Sequence, residues 1–237
     1  MSLPKINVPE YTLVVPSTDE EIKFRPFLVK EEKLLLMAQE TGADEALYGA
    51  IKTLIKNCTL DKIDVDKLPL FDIEYIFLNI RAKSVEEIAK LQVICPDDGV
   101  TQVGVEVDLT KLQVQMEDDH NPRIQLSEDI GILMSYPNLA TVISANADEN
   151  DNTYETMFKM IQDCMYRIWQ GEETFDVMDY TDEDKKTFLE SLNHDQFTKI
   201  QTFFETMPTL KHEVEVTNPK TKVKSTVKLE GMNSFFS

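Results

Sequence analysis

Ala89-Lys-Leu-Gln-Val-Ile-Cys-Pro-Asp-Asp-Gly-Val-Thr-Gln-Val-Gly-Val-Glu-Val-Asp-Leu109 is the stretch that decides the fold class. Ala89, Leu91, Val93 and Cys95 alternate with Lys90, Gln92 and Ile94. After the turn Pro96-Asp-Asp-Gly99, Val103, Val105, Val107 and Leu109 alternate with Gly104, Glu106 and Asp108. A period of two on both sides of a Pro/Asp/Gly turn predicts an antiparallel β-hairpin with one buried face.

The chain before this hairpin reads differently. Tyr11-Thr-Leu-Val-Val15 and Ile22-Lys-Phe-Arg-Pro-Phe27 flank Pro16-Ser-Thr-Asp19 and predict a short hairpin. A helix follows from about Pro26 or Val29 to Gly42, whose missing Cβ suits a helix terminus. Further helices are predicted over about 44–57, with Leu47, Ile51, Leu54 and Ile55 on one face, and from Pro69 or Leu70, with Phe71, Tyr75, Leu78 and Ala82 on the apolar side.

After the polar run Glu117-Asp-Asp-His-Asn-Pro122 the plan repeats. A strand is expected near 129–135, and a helix over 153–169 carrying Met157, Phe158, Ile161, Met165 and Ile168. Helices over 181–192 and 195–207 follow, then a hairpin of 210–217 and 223–229 around Asn218-Pro-Lys-Thr221. The expected class is therefore α+β, with helical blocks each followed by an antiparallel β-hairpin. The domain boundary is expected at the polar run, giving domains 1–120 and 121–237.

The two hairpins resemble each other and sit where a zinc ribbon carries its ligands. A structural zinc site needs four Cys or His side chains around the metal. Here Cys95 is followed three residues on by Asp98, and the second turn holds Asn218 and no cysteine. The hairpins are read as degenerate zinc-ribbon-like units without metal, stabilised by cross-strand packing. Asp148-Glu-Asn-Asp-Asn-Thr153 has the start of a calcium loop, but Thr153 and Lys159 stand where Gly and Glu are required. No cofactor and no metal are expected.

Composition excludes several function classes. The chain has 237 residues, 24 Lys and Arg against 43 Asp and Glu, and a net charge of −19. Nucleic-acid affinity rests on cations meeting phosphates, so no nucleic-acid role is expected. Cys58, Cys95 and Cys164 are sparse and odd in number, which fits a reducing compartment. The N-terminal residues predict no signal peptide, and no apolar run predicts a membrane span. Walker A, G-x-S-x-G, H-E-x-x-H and G-x-G-x-x-G motifs are absent from the sequence. His120, His194 and His212 are read as surface histidines. No catalytic residue and no small-molecule substrate are expected.

Two stretches carry a resemblance. Phe24-Arg-Pro-Phe-Leu-Val-Lys-Glu-Glu-Lys-Leu-Leu-Leu-Met-Ala38 resembles the N-terminal signature of the T4-type phage baseplate protein family. Phe203-Phe-Glu-Thr-Met-Pro-Thr-Leu-Lys-His-Glu-Val214 and Leu229-Glu-Gly-Met-Asn-Ser-Phe-Phe236 resemble its ending. The resemblance implies a component of the baseplate hub in a contractile tail, located in the virion and, during assembly, in the host cytoplasm. Its partners would be other baseplate hub and tail proteins. The alternative is a hub assembly factor absent from the finished virion. Some relatives carry Cys-x-x-Cys pairs in their hairpins; this sequence does not.

The residues suggest which surface would serve such contacts. Leu34, Leu35, Leu36 and Met37 are consecutive, so the helix is apolar on more than one side. The reading favours burial within the fold, with a partner-facing side as the alternative. Phe27, Leu36, Met37, Phe235 and Phe236 are the candidate interface residues.

Overall fold

A computed structural model of the chain describes residues 6–145, 153–231 and 234. In chain order these form β1 (Tyr11–Val14), β2 (Glu21–Phe24), α1 (Val29–Thr41), α2 (Asp44–Cys58), α3 (Leu70–Ser84), β3 (Ile88–Ile94), β4 (Gln102–Asp108) and β5 (Gln113–Gln115). Then come β6 (Arg123–Gln125), β7 (Ile130–Met134), α4 (Leu139–Ala145), α5 (Thr153–Cys164), β8 (Met165–Gln170), β9 (Glu173–Asp176), α6 (Asp182–Glu190) and α7 (His194–Thr206). The chain closes with β10 (Thr209–Thr217) and β11 (Lys224–Glu230). All strand pairs are antiparallel, and the class is α+β.

The division of the chain differs from the boundary read at residue 120. One unit comprises Met1–Gln115 together with Thr209–Ser237, and the other is Met116–Pro208. The reason is a strand pairing that short sequence windows do not reveal. β10 pairs with β5 through Thr209↔Gln115, Leu210↔Val114 and Lys211↔Gln113, and with β11 on its other side. The last hairpin therefore belongs with the first unit, and the second unit is an insertion between two paired strands.

In the first unit α3 is the central helix. Phe71, Asp72, Ile73, Glu74, Ile76, Phe77, Leu78, Ile80 and Ala82 are all buried, so it is covered on every side. Ile51, Leu54 and Ile55 of α2 are fully buried as well. Asp72 is the costly member of this core: burial raises its carboxyl above the ordinary range, opposed by hydrogen bonds from the Ser17 hydroxyl and amide. That contact ties the β1–β2 turn to α3.

α1 is less embedded than its run of apolar residues suggested. It buries Glu31, Leu35 and Ala38, while Leu36 and Met37 are 55% and 56% exposed. One face of a helix is the most that a single packing layer covers, and four consecutive apolar residues exceed one face. The helix ends as expected: Gly42 adopts φ 67° and its N–H donates to the Gln39 carbonyl at 3.1 Å.

The second unit is built on the sheet β6-β7-β8-β9. Its core joins Ile132, Met134, Ile161, Met165, Val177, Leu189, Ile200 and Phe203. Here the helix expected over 153–169 is corrected: α5 stops at Cys164, and Met165–Gln170 is strand β8. Ile168 fits a helical stripe with Met157 and Ile161, which hid the change. It equally fits a strand facing Ile132 on one side and Phe175 on the other. The sheet settles the contest, because β8 is an interior strand bonded to β7 and β9, and Ser135 N–H donates to the Cys164 carbonyl at 2.7 Å. Trp169 lies flat across Gly131, where a Cβ would come within 2.0 Å of the ring, and the Arg123 guanidinium stands 4.2 Å from the ring centre.

Candidate protein-interaction surfaces

The first candidate surface begins at the segment joining β2 to α1. Arg25 is pinned there: its Nη2 donates to Glu31 Oε1 at 2.9 Å, its Nη1 to the Pro26 carbonyl at 2.9 Å, and its backbone N–H to the Cys58 carbonyl at 3.0 Å. Glu31 is 1% exposed and also accepts from the Leu28 N–H at 2.9 Å. Burial alone would raise the Glu31 carboxyl, but the hydrogen bonds from Arg25, Leu28 and Lys30 outweigh it and hold it below the ordinary carboxylate range. The Phe27 N–H donates to Ser84 Oγ at 2.9 Å, which fixes this half-buried residue against the end of α3.

From that anchored start α1 presents Val29, Lys33, Leu36, Met37 and Glu40 at helical spacing along one side, all exposed. Val29 is 79% exposed, so the stripe is apolar at its beginning and middle. Of the five sequence candidates, Phe27, Leu36 and Met37 thus lie in one stretch of the first unit. Phe27 is half-buried and held by Ser84, and Leu36 and Met37 share the open face. Phe235 and Phe236 lie outside the described residues.

The second candidate surface was not read from the sequence. The turns of β3–β4 and β10–β11 are joined by a hydrogen-bonded clasp. Asn218 is fully buried, and its Nδ2 donates to Asp97 Oδ1 at 3.0 Å, Asp97 Oδ2 at 3.1 Å and Asp98 Oδ2 at 2.9 Å. Its Oδ1 accepts from the Lys220 and Thr221 amides at 2.9 and 3.3 Å, which fixes the orientation of the amide. The Thr221 hydroxyl donates to Asp97. Asp98 is held well below the usual carboxylate range by the Thr101 hydroxyl and amide, then by Asn218 and the Val100 amide. The hairpins are thus held at their tips by polar contacts and not by cross-strand packing alone. A signal was present: Cys95 and Asp98 share the spacing of Asn218 and Thr221.

Several other chemistry-bearing residues are buried or bonded to neighbouring groups. Cys58, Cys95 and Cys164 are free and buried. Burial pushes Cys58 up to about 11 and Cys164 up to about 12, far from a reactive thiolate. His120 is not a lone surface histidine. Its Nδ1 lies 3.0 Å from Thr206 Oγ1 and its Nε2 3.0 Å from Tyr136 Oη, and the ring packs on Phe203. Burial lowers its pKa. In the Asp176–Asp184 run, Thr181 caps α6 by accepting from the Asp184 amide, the Asp184 carboxylate accepts in return from the Thr181 amide, and Asp182 pairs with Lys185 at 3.1 Å. Among the described residues no group of three or more His, Cys, Asp or Glu could hold a metal ion. The calcium-like stretch 148–153 lies mostly outside the described residues. Among them, no helix is long and apolar enough to cross a membrane.

Residues 8–237, nearly the whole chain, match the family described as T4 bacteriophage base plate protein. The chain belongs to the T4 bacteriophage base plate protein family. It is a phage baseplate component, located in the virion tail among other baseplate and tail proteins. No curated protein and no solved structure matches the chain. Within this baseplate protein, both candidate surfaces lie on the first unit.

Proposed function

We propose that this baseplate protein is a non-catalytic structural subunit of the hub of a contractile tail, held there by contacts with other hub proteins. The observation that carries this reading is the exposed stripe of α1. Val29, Leu36 and Met37 are left open beside a segment that Arg25, Glu31 and Ser84 hold rigidly. A fixed backbone carrying open apolar side chains pays little ordering entropy on docking. Phe27 belongs to the same surface, and Phe235 and Phe236 are offered as further anchors. The absence of enzymatic chemistry is part of the proposal: the His120 ring and the Asp72, Asp98 and Glu31 carboxylates are all engaged by neighbouring side chains or amides. Its charge of −19 argues for protein partners over nucleic acid.

Mass spectrometry of purified tails tests the reading. A structural subunit is recovered at fixed stoichiometry with the other baseplate proteins. Recovery from infected cells but not from purified particles would replace it with the second reading, an assembly factor that leaves the finished virion.

A further inference from the structure

The tips of the two hairpins are organised more strongly than their place in the fold requires. Hairpin tips usually lie at the least ordered end of a domain. Here Asn218 is completely buried and its amide is shared by the carboxylates of Asp97 and Asp98. Burying a polar group is costly unless it is bonded, and this one makes bonds through both ends of its amide. Lys222, next in the turn, adopts φ 65°, an uncommon conformation for a side chain other than Gly.

The clasp holds side chains that contribute nothing to the core. Lys220, Lys222 and Lys224 are exposed, and none forms an ion pair among the described residues. On the same strands Lys211 and Lys228 are paired, with Glu230 and Glu213. Val223 beside them is 46% exposed, Val100 in the adjoining turn is 72% exposed, and Ile94 at the end of β3 is 52% exposed. The carboxylates nearest in the clasp, Asp97 and Asp98, are turned to Asn218, Thr101 and Thr221. Lys220, Lys222 and Lys224 outnumber the two clasp carboxylates, so this tip, with the exposed Val223 between Lys222 and Lys224, is locally cationic in a chain of net charge −19.

We infer that these joined tips are a docking point for a carboxylate-rich face with an apolar centre on another baseplate protein. The inference rests on the structural reading above and names the surface it would use. Charge complementarity selects the partner, and the exposed valines supply the desolvated centre that cationic rims surround in protein interfaces. A second copy of this chain is the weaker occupant. Three solvent-exposed ion pairs contribute too little to hold a free dimer of two strongly acidic molecules.

The test uses the full chain in an infection that lacks its own copy. It compares wild type, K220A/K222A/K224A and K220E/K222E/K224E, each checked for unchanged circular dichroism and unfolding midpoint. Particles complemented with the Glu variant should contain less of this chain by roughly tenfold or more, and the Ala variant should fall between, since each exposed pair contributes a few-fold. A photo-reactive residue at Lys222 should cross-link, in particles, to an Asp- and Glu-rich peptide of another baseplate protein. Equal incorporation of all three variants overturns the inference while leaving the structural reading intact. Absence of wild type itself from particles removes that reading and the inference with it. Cross-linking to a second copy overturns it in favour of self-association. Tight binding of labelled single-stranded DNA at physiological salt, lost in the Glu variant, overturns it in favour of a nucleic-acid contact.

Discussion

α1 and α3 carry similar runs of apolar residues and meet opposite fates. Leu34-Leu-Leu-Met37 in α1 and Ile76-Phe-Leu78 in α3 both exceed what one helix face can hide. In α3 the excess is covered by neighbours on all sides. In α1 it is left open at Leu36 and Met37. A run of apolar residues therefore fixes that a helix has more than one apolar side, but not what covers the second side. For α3 the cover is the rest of its own unit; for α1 nothing in this chain supplies it among the described residues.

The contrast is broken most severely at the centre. Phe77→Ala removes a side chain with 0% exposure and leaves a cavity in α3's packing. A loss of about 3–5 kcal/mol is expected, read as a lower midpoint in urea unfolding at unchanged slope. A loss under about 1 kcal/mol would mean that α3 is not the central helix.

The buried carboxylate of α1 comes next. Glu31→Ala leaves Arg25, 14% exposed, without its partner and removes the acceptor for the Leu28 N–H. Breaking such a pair costs about 3 kcal/mol. The pH dependence has a definite sign. The folded-state pKa of Glu31 lies below its ordinary value, so its contribution is complete above about pH 4.3 and disappears as pH falls through the lowered value. The stability gap between wild type and Glu31→Gln should close on acidification below that point, and a gap that widens would contradict the assignment.

The hairpin tips repeat the contrast between buried and displayed residues on a smaller scale. Asn218→Ala strips Asp97 and Asp98 of their shared donor. A loss of about 1.5–3 kcal/mol is expected, the usual range for hydrogen bonds to charged groups. Hydrogen exchange should rise in both turns together, since each is held by the other. Faster exchange confined to 218–223 would mean the tips are independent.

Much of this was legible from residues and some was not, for physical reasons. The β3–β4 hairpin, the start of α1 and its Gly42 terminus are set by local chemistry: alternation, a polar turn, a positive φ. The strand at Met165–Gln170 was hidden because Met165 and Ile168 satisfy a helical period, and only pairing with β7 and β9 reveals the strand. The insertion of the second unit was hidden because β5 is three residues long and finds its partner in β10, far along the chain. The clasp was read only as a failed metal site: the spacing of Cys95, Asp98, Asn218 and Thr221 was visible, but not that an amide could take the metal's place between the turns. Leu36 and Met37 were read as a choice between burial and partner contact, with burial favoured, and the structure leaves both exposed. The sequence holds no term for which neighbour arrives, so the choice needed the packed chain.

The smallest expected effect on stability is the most informative about function. Leu36→Gln and Met37→Gln together replace exposed apolar side chains by one of similar length and comparable helix propensity. Nothing in the fold covers that side of the helix among the described residues, so the unfolding free energy should change by no more than about 0.5 kcal/mol. The same pair of changes deletes the apolar stripe proposed to meet a hub partner. Incorporation into tails should therefore fall while the midpoint of unfolding stays in place, the reverse of the pattern expected for Phe77→Ala at equal expression. If the double variant unfolds several kcal/mol more easily, the α1 stripe is covered within the chain. If it enters tails as well as wild type, the partner grips another surface, and the comparison between the two helices loses its functional half.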